Sequence, residues 1–349
     1  MRRLEYVRRG ELRWADVPAA RVREPGDAVV RPIASTTCDL DRAIIAGATP
    51  FVGPFAIGHE CVAEVVDIGD DAATLRPGQQ VVVPWHICCG RCARCGRGLT
   101  SQCERVPRYA MYGLPSGGDW GGLFDELVRV PWASQALVPL PEGLDPAVVA
   151  SASDNLTDAW RAVGPALHAA PGARVLIMGG TPSIGLYVAM FAAAVGAGAI
   201  DYVDRSTRRR TQASALGVTP HETTPAGEEY EVIVDASADR GALAEGLRHA
   251  APGARCHSVG IFFGDPTPLP LDVMYMHGVT LTTGRPDVLA DIPEVLDLVA
   301  DGTVDPAPIF SGEIAWEDAP AALAELPRKP LVLRTATPTP SCAGSSATP

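Results

Sequence analysis

The sequence predicts a two-domain α/β protein: a β-rich domain with a cysteine-lined lobe, and a doubly wound parallel sheet. Three observations carry this. Residues 1 to about 150 run as short strand-like segments with frequent Gly/Pro punctuation. From about residue 170, strand-length and helix-length apolar runs alternate, the pattern of a parallel sheet with helices on both faces. Within the first of these regions lie Cys89, Cys92, Cys95 and Cys103, at the spacing of a four-thiolate zinc site. With its four positions filled by protein, such a site stabilises a loop and does no chemistry. Glycines and arginines between the thiols, without apolar periodicity, favour zinc over a free or disulfide-bonded cluster.

A length of 349 residues suits two domains. Hydrophobic residues make up 47% and charged residues 20%, as in soluble globular proteins. The net charge of -12 argues against a nucleic-acid partner. Basic residues are nearly all arginine; Lys329 is the sole lysine, which reads as coding bias. Met1-Arg2-Arg3 leads into charged and polar residues, so the expectation is a cytoplasmic protein without a membrane partner. The uncharged stretch Val175 to Ile200 has the length of a membrane span, but its Gly-Gly-Thr-Pro-Ser break reads as buried strand, turn and buried helix.

In chain order, Glu60 to Gly69 and Gln80 to Pro84 are strands of the β-rich domain. Arg174 to Met178 opens the parallel sheet, Ser183 to Val195 is a helix, and Ala199 to Asp204 is the next strand. Glu231 to Asp235, Ala254 to Gly260 and Val279 to Thr283 continue the sheet, with a helix at Arg240 to Ala250. Pro330 to Arg334 is a last strand segment, and the Ser/Thr/Pro/Ala-rich tail 335–349, Cys342 included, is expected to be disordered.

Gly180-Thr181-Pro182-Ser183-Ile184-Gly185 sits between the first parallel strand and its helix. This is the Gly-x-Gly-x-x-Gly dinucleotide fingerprint with proline at the middle glycine, where a pyrophosphate approaches the backbone at a helix N-terminus. Proline removes one N–H there, although it is tolerated in a first helical turn, and Ser183 offers a hydroxyl donor. Asp204 ends the second strand nineteen residues after Gly185, where an acid binds both adenosine ribose hydroxyls and repels a 2′-phosphate. NAD is therefore favoured over NADP. The adjoining arginines, Arg205 and Arg208 to Arg210, read either as a cover for adenine or as a solvated helix start. Upstream, Cys38 and His59 suit a catalytic zinc, given a third ligand and one open position; each alone is ambiguous, and a lone buried cysteine is more often core.

With these motifs in place, nearly the whole chain through Arg334 resembles the zinc-dependent medium-chain dehydrogenase/reductase family of alcohol and polyol dehydrogenases. The resemblance implies a catalytic, GroES-like domain over 1–150 and 287–349, with a zinc lobe at 88–104, and a Rossmann domain over 151–286. It implies one structural zinc on the four cysteines and one catalytic zinc on Cys38, His59 and Asp154. Asp154 stands at the start of the inter-domain helix, with Asp158 and Glu60 as rival ligands and a helix cap as the plain alternative. Glu60 matches the acid beside the metal, a supporting group or a transient ligand, and Asp41 matches the carboxylate that orients the imidazole. The cofactor is expected on Gly180, Pro182, Ser183, Ile184, Gly185, Asp204, Arg205 and Arg209, and the family implies a homodimer or homotetramer.

The sequence also departs from the family. Leu40 stands where a serine or threonine passes the substrate proton outward, and Ala43 replaces a relay histidine. That leaves water, Asp39 or Thr157 as the proton's route. Ala63 replaces a glycine, a packing change. Trp85, Tyr112, Trp120 and Trp160 are candidate pocket aromatics, each equally readable as core, and Asp39, Asp119 and Asn155 are candidate hydroxyl or amine contacts. The resulting expectation is hydride transfer between NAD and an alcohol, polyol or carbonyl. An NADP(H) reductase or an altered-chemistry zinc enzyme is the first alternative, and a non-enzymatic NAD(H)-binding protein the second.

Overall fold

The computed structural model describes residues 1–335. The expected disordered tail, with Cys342, lies from 336 onward outside the described residues.

The chain opens with β1 (Arg2–Arg8), β2 (Glu11–Asp16) and β3 (Ala28–Thr36), then α1 (Asp39–Ile45), β4 (Phe55–Ala56), β5 (Glu60–Ile68) and β6 (Gln80–Val82). After the cysteine lobe come β7 (Val128–Val130), α2 (Ala133–Ala136) and β8 (Val138–Pro139). Strands β2, β1 and β4 form a small sheet. Strands β3 and β5 pair antiparallel over most of their length and lie at the centre of the main sheet. Alternation along β5 sends Cys61, Ala63 and Val65 into a core with Val81, Tyr112 and Leu123. Ala63 is wholly buried there, so its methyl group is absorbed by packing.

A second layered unit follows: α3 (Asn155–Ala169), β9 (Arg174–Met178), α4 (Ile184–Ala194), β10 (Ala199–Val203), α5 (Thr207–Ala215) and β11 (Thr219–His221). It continues through β12 (Tyr230–Asp235), α6 (Arg240–Arg248), β13 (Ala250–Ser258), α7 (Leu271–His277) and β14 (Thr280–Thr283). Its six strands are all parallel, in the order β11-β10-β9-β12-β13-β14. That is the doubly wound order whose direction reverses between β9 and β12, and ligands of such sheets sit beyond the strand ends at this reversal. Val175, Leu176 and Ile177 are buried completely, covered on both sheet faces. Helix α4 is apolar nearly all round because it is packed against both the sheet and α3, with Tyr187, Val188 and Phe191 fully buried. The uncharged stretch is therefore interior strand and helix, and no helix among the described residues is long and apolar enough to cross a membrane.

Helix α8 (Ile292–Ala300) packs on α3, and the chain then returns to the first sheet. β15 (Glu313–Ala315), α9 (Ala319–Ala324) and β16 (Leu331–Leu333) complete it, with β16 antiparallel to β3. This closure brings Lys329, just before β16, back beside the start of β5.

Candidate active site

Cys38 caps α1. Its Sγ accepts the backbone N–H groups of Leu40 (3.2 Å) and Asp41 (3.4 Å), and Asp41 Oδ2 accepts the Cys38 N–H in return (3.0 Å). This reciprocal box fixes the first turn of α1 and leaves Asp41 Oδ1 facing His59 Nδ1 at 3.3 Å. The other imidazole nitrogen, Nε2, lies 3.5 Å from Asp154 Oδ2. The ligand atoms of Cys38, His59 and Asp154 lie within 4.8 Å of one another.

The electrostatics ask for a cation. Burial and the Asp41 carboxylate push the Cys38 thiol up. Burial opposes a charged His59, yet Asp41, Cys38 and Asp154 outweigh it and hold that imidazole well above the usual histidine range. Two carboxylates and a thiol thus converge on one ring, and a zinc ion would supply the positive charge they call for. Asp41 Oδ1 faces His59 Nδ1 at 3.3 Å, which leaves Nε2 free for a metal. Asp154 occupies the N-cap position of α3, but its side chain makes no capping hydrogen bond, which removes the plain helix-cap reading. Its rival Asp158 is committed to Arg161 at 2.7 Å.

Glu60 lies outside this ligand group. Its Oε1 accepts from Ser151 Oγ (2.6 Å) and the Asn155 N–H (2.8 Å), while Oε2 accepts from Lys329 Nζ (2.5 Å). With both oxygens held by protein donors, it ties the α3 N-terminus, and so Asp154, to the first domain. The geometry supports the supporting role over the transient-ligand one. Lys329 is the residue that sequence reasoning missed. It is completely buried, and its ammonium also donates to Thr37 O at 2.9 Å. Burial works against the charge, but Glu60 more than offsets it and raises the lysine above its ordinary pKa. Its status as the only lysine was the one available signal, and a bias toward arginine does not account for a lysine kept at this position.

The four lobe thiols likewise lie within 4.8 Å of one another. Backbone N–H groups of Cys89 and Arg105 point at Cys103 Sγ (3.3 and 3.4 Å), and that of Cys95 at Cys92 Sγ (3.5 Å). Backbone donors from Glu104 and Cys95 lower the Cys92 thiol, and burial raises those of Cys95 and Cys103. The chemistry of this donor set fits zinc.

At the sheet reversal, Gly179 and Gly180 pass so close to neighbouring strand ends that side chains are excluded. A Cβ on Gly179 would lie 2.6 Å from Tyr202 Oη, and one on Gly180 2.8 Å from Ser237 O. The loop therefore meets Asp204, whose oxygens accept from Tyr202 Oη (3.1 Å), Ser206 N–H (2.7 Å) and Arg209 Nε (2.6 Å). Arg210 donates to the Asp204 carbonyl at 2.7 Å, whereas Arg205 is exposed. Ser183 and Ile184 start α4 as expected, with Ser183 completely buried and Pro182 just ahead. The glycine cradle, helix start and acid fit a dinucleotide.

Several side chains proposed for substrate or proton transfer are used elsewhere. Thr157 Oγ1 donates to Ala152 O at 2.7 Å, which takes it out of the proton route. Asp119 pairs with Arg3 at 2.9 Å. Tyr112 is a core residue donating to Arg129 O, and Trp160 is buried against Phe191 with its indole on Glu294. The Trp120 indole closes its own loop on Gly117 O, and that of Trp85 donates to Pro286 O in the other half of the chain. Asn155 and Asp39 instead face the dinucleotide helix. Turned with nitrogen toward Asp154 Oδ2 (3.1 Å) and oxygen toward Asp39 N–H (3.3 Å), the Asn155 amide satisfies both groups.

Comparison with known proteins identifies the family. Residues 24–142 match the family described as Alcohol dehydrogenase GroES-like domain, and residues 183–301 match that described as Zinc-binding dehydrogenase. A probable zinc-binding alcohol dehydrogenase of Mycobacterium tuberculosis is 27% identical over 318 residues, covering 89% of this chain and 81% of that protein. L-threonine 3-dehydrogenase of Bacillus licheniformis is 28% identical over 282 residues, covering 76% and 77%. The solved alcohol dehydrogenase of Thermus sp. ATN1 superposes with a TM-score of 0.85 at 29% identity, covering 96% of this chain and all of that one. The chain belongs to the zinc-dependent medium-chain dehydrogenase/reductase family and is a zinc-dependent, alcohol dehydrogenase-like oxidoreductase.

Proposed function

We propose that this protein interconverts a small alcohol or polyol with its aldehyde or ketone, using NAD and a zinc ion held by Cys38, His59 and Asp154. The observation that carries this reading is the convergence of those three ligand atoms beside the start of the dinucleotide helix. When bound, zinc would polarise the substrate oxygen and the nicotinamide would exchange hydride with the adjacent carbon. The chain's own part is positioning. Asp41 orients the His59 ring, and Glu60 with Lys329 fixes the turn that presents Asp154. Gly179, Gly180, Ser183 and Ile184 shape the pyrophosphate cradle, and Asp204 selects NAD through the ribose hydroxyls.

The proton takes a different path from the family's usual one. Leu40 offers no hydroxyl and Thr157 is tied to Ala152 O; we infer that the substrate proton leaves through water in the cleft. The same observation favours, as a second reading, a reductase or altered-chemistry zinc enzyme in which outward proton transfer matters less.

For assembly we propose a homodimer built on β14. Among the described residues this strand ends the parallel sheet with one edge unpaired, and no residue of α7 before it is fully buried. Tyr275 and Met276 there are 85% and 76% exposed. A second copy pairing at this edge would cover both features.

The test is elemental zinc per chain in wild type and Asp154→Ala, with NAD(H) and NADP(H) binding. About two zinc ions per wild-type chain, about one in the variant, and preference for NAD(H) support the reading. A single zinc in the wild type would refute the catalytic site and leave the non-enzymatic reading ahead.

A further inference from the structure

The start of α4 already holds an anion. Three donors that the fingerprint offers there, Ser183 N–H (3.2 Å), Ser183 Oγ (2.8 Å) and Ile184 N–H (3.1 Å), all point to the carboxylate of Asp39. Asp39 belongs to the other domain: it is the first residue of α1, next to the zinc ligand Cys38. The Asn155 amide oxygen, in the orientation given above, lies 3.1 Å from Ser183 Oγ, so the contact sits within the seam between the domains.

We propose that Asp39 is an internal competitor for the cofactor's pyrophosphate. In the free protein its carboxylate takes the α4 donors and latches the two domains together; the nucleotide binds only as this latch opens. The proposal rests on the nicotinamide reading above. A carboxylate and a phosphate oxyanion use the same N–H groups and the same helix dipole, so the donors serve one or the other. Pro182, just before Ser183, has no N–H, so that position supplies no spare donor. Once displaced, Asp39 remains a negative charge beside an incoming group that is itself doubly negative. The observed affinity for NADH is then the intrinsic affinity reduced by the fraction of unlatched protein. Because Cys38 and Asp39 share one turn of α1, opening the latch and setting the zinc ligand are mechanically linked.

The experiment uses zinc-loaded full-length protein at fixed pH and ionic strength: wild type, Asp39→Asn and Asp39→Ala. NADH binding is measured by calorimetry, with adenosine as a phosphate-free probe and zinc content as a check. Amide hydrogen exchange across residues 180–188 of the nucleotide-free proteins reads the latch without any cofactor. The expected result is NADH affinity about tenfold tighter in Asp39→Ala, a smaller gain in Asp39→Asn, and unchanged adenosine binding. The Ser183 and Ile184 amides should be protected in free wild type and exchange faster in Asp39→Ala. Unchanged or weaker NADH binding in variants that keep their zinc overturns the latch, as does absence of amide protection in the wild type. If NADH binds the wild type without any gain in the variants, only the latch fails. If neither NADH nor NADPH binds any of the proteins, the nicotinamide reading fails with it.

Discussion

Replacing Lys329 by methionine should cost about 3–4 kcal/mol at pH 7, and the cost should depend on pH in a defined direction. Lys329 Nζ and Glu60 Oε2 are 2.5 Å apart with both side chains completely buried. Methionine fills the volume of the stem but strands a buried carboxylate. The loss is capped, because the folded variant can protonate Glu60. At pH 7 that proton is taken up about 2.7 units above the unfolded pKa of about 4.3, a cost of about 3.7 kcal/mol. Burial pushes the Glu60 carboxyl up even with Lys329 present, which favours this escape. In the variant the folded pKa exceeds the unfolded one, so the folded chain holds the extra proton. The penalty then shrinks by about 1.4 kcal/mol for each unit that pH falls from 7 toward 4.3, and grows as pH rises. Lys329→Met with Glu60→Gln should recover most of the loss, since a neutral amide oxygen still accepts from Ser151 and the Asn155 N–H. Urea unfolding of the zinc-loaded proteins from pH 5.5 to 8 measures all of this. Chelator competition should also show easier zinc loss from the site carrying Asp154 than from the cysteine lobe. Identical pH slopes in wild type and Lys329→Met, with no rescue by Glu60→Gln, would mean that Glu60 is already neutral and the ion-pair reasoning is wrong.

Three further outcomes are expected. His86 is buried with Nδ1 unpartnered and Nε2 on Thr100 Oγ1, and burial, then Arg285 and Arg161, lower it to about 3. Since the unfolded residue titrates near 6.5, its contribution is complete above that pH and falls as the unfolded chain gains the proton. Wild type should lose about 2 kcal/mol between pH 6.5 and 5 that His86→Gln does not, measured by urea unfolding; parallel curves would refute this. Asp204→Asn should weaken NADH binding about tenfold while improving NADPH relative to it, by fluorescence titration. An unchanged ratio would show that Asp204, held by Arg209, does not select the cofactor. If the proposed dimer forms, Tyr275→Glu with Met276→Glu should convert it to monomer in analytical ultracentrifugation, and an unchanged mass would place the interface elsewhere.

The parts of the site legible in the sequence are those in which local spacing is itself geometry. Cys89, Cys92 and Cys95 come together because two residues between thiols is the span of a tight turn, and the cluster needs only Cys103 besides. The doubly wound sheet was readable because interior strands such as Val175 to Ile177 are covered on both faces and carry no polar residue. Aromatics gave no such information. Tyr112 and Trp160 suit a pocket or a core equally until the packing around them is known, and here it is core. Lys329 was illegible for a stronger reason: its partner Glu60 is 269 residues away, and only the pairing of β16 with β3 makes them neighbours.

The first turn of α1 shows where that boundary runs. Successive helical positions are turned by about 100°, so Cys38 and Asp41, three residues apart, share one side of the turn while Asp39 faces away from them. Cys38 and Asp41 can therefore serve one ligand set, while Asp39 needs a partner of its own. The family resemblance implies what the first two would meet, a metal for Cys38 and the imidazole for Asp41, because those belong to one ligand set. The third partner lies across the domain seam. Its identity follows from how the two sheets are docked, and no spacing within α1 encodes that. The residue whose role was least readable is thus the one that joins the domains, and substitutions at Asp39 will report on nucleotide entry where those at Cys38 or Asp41 report on zinc.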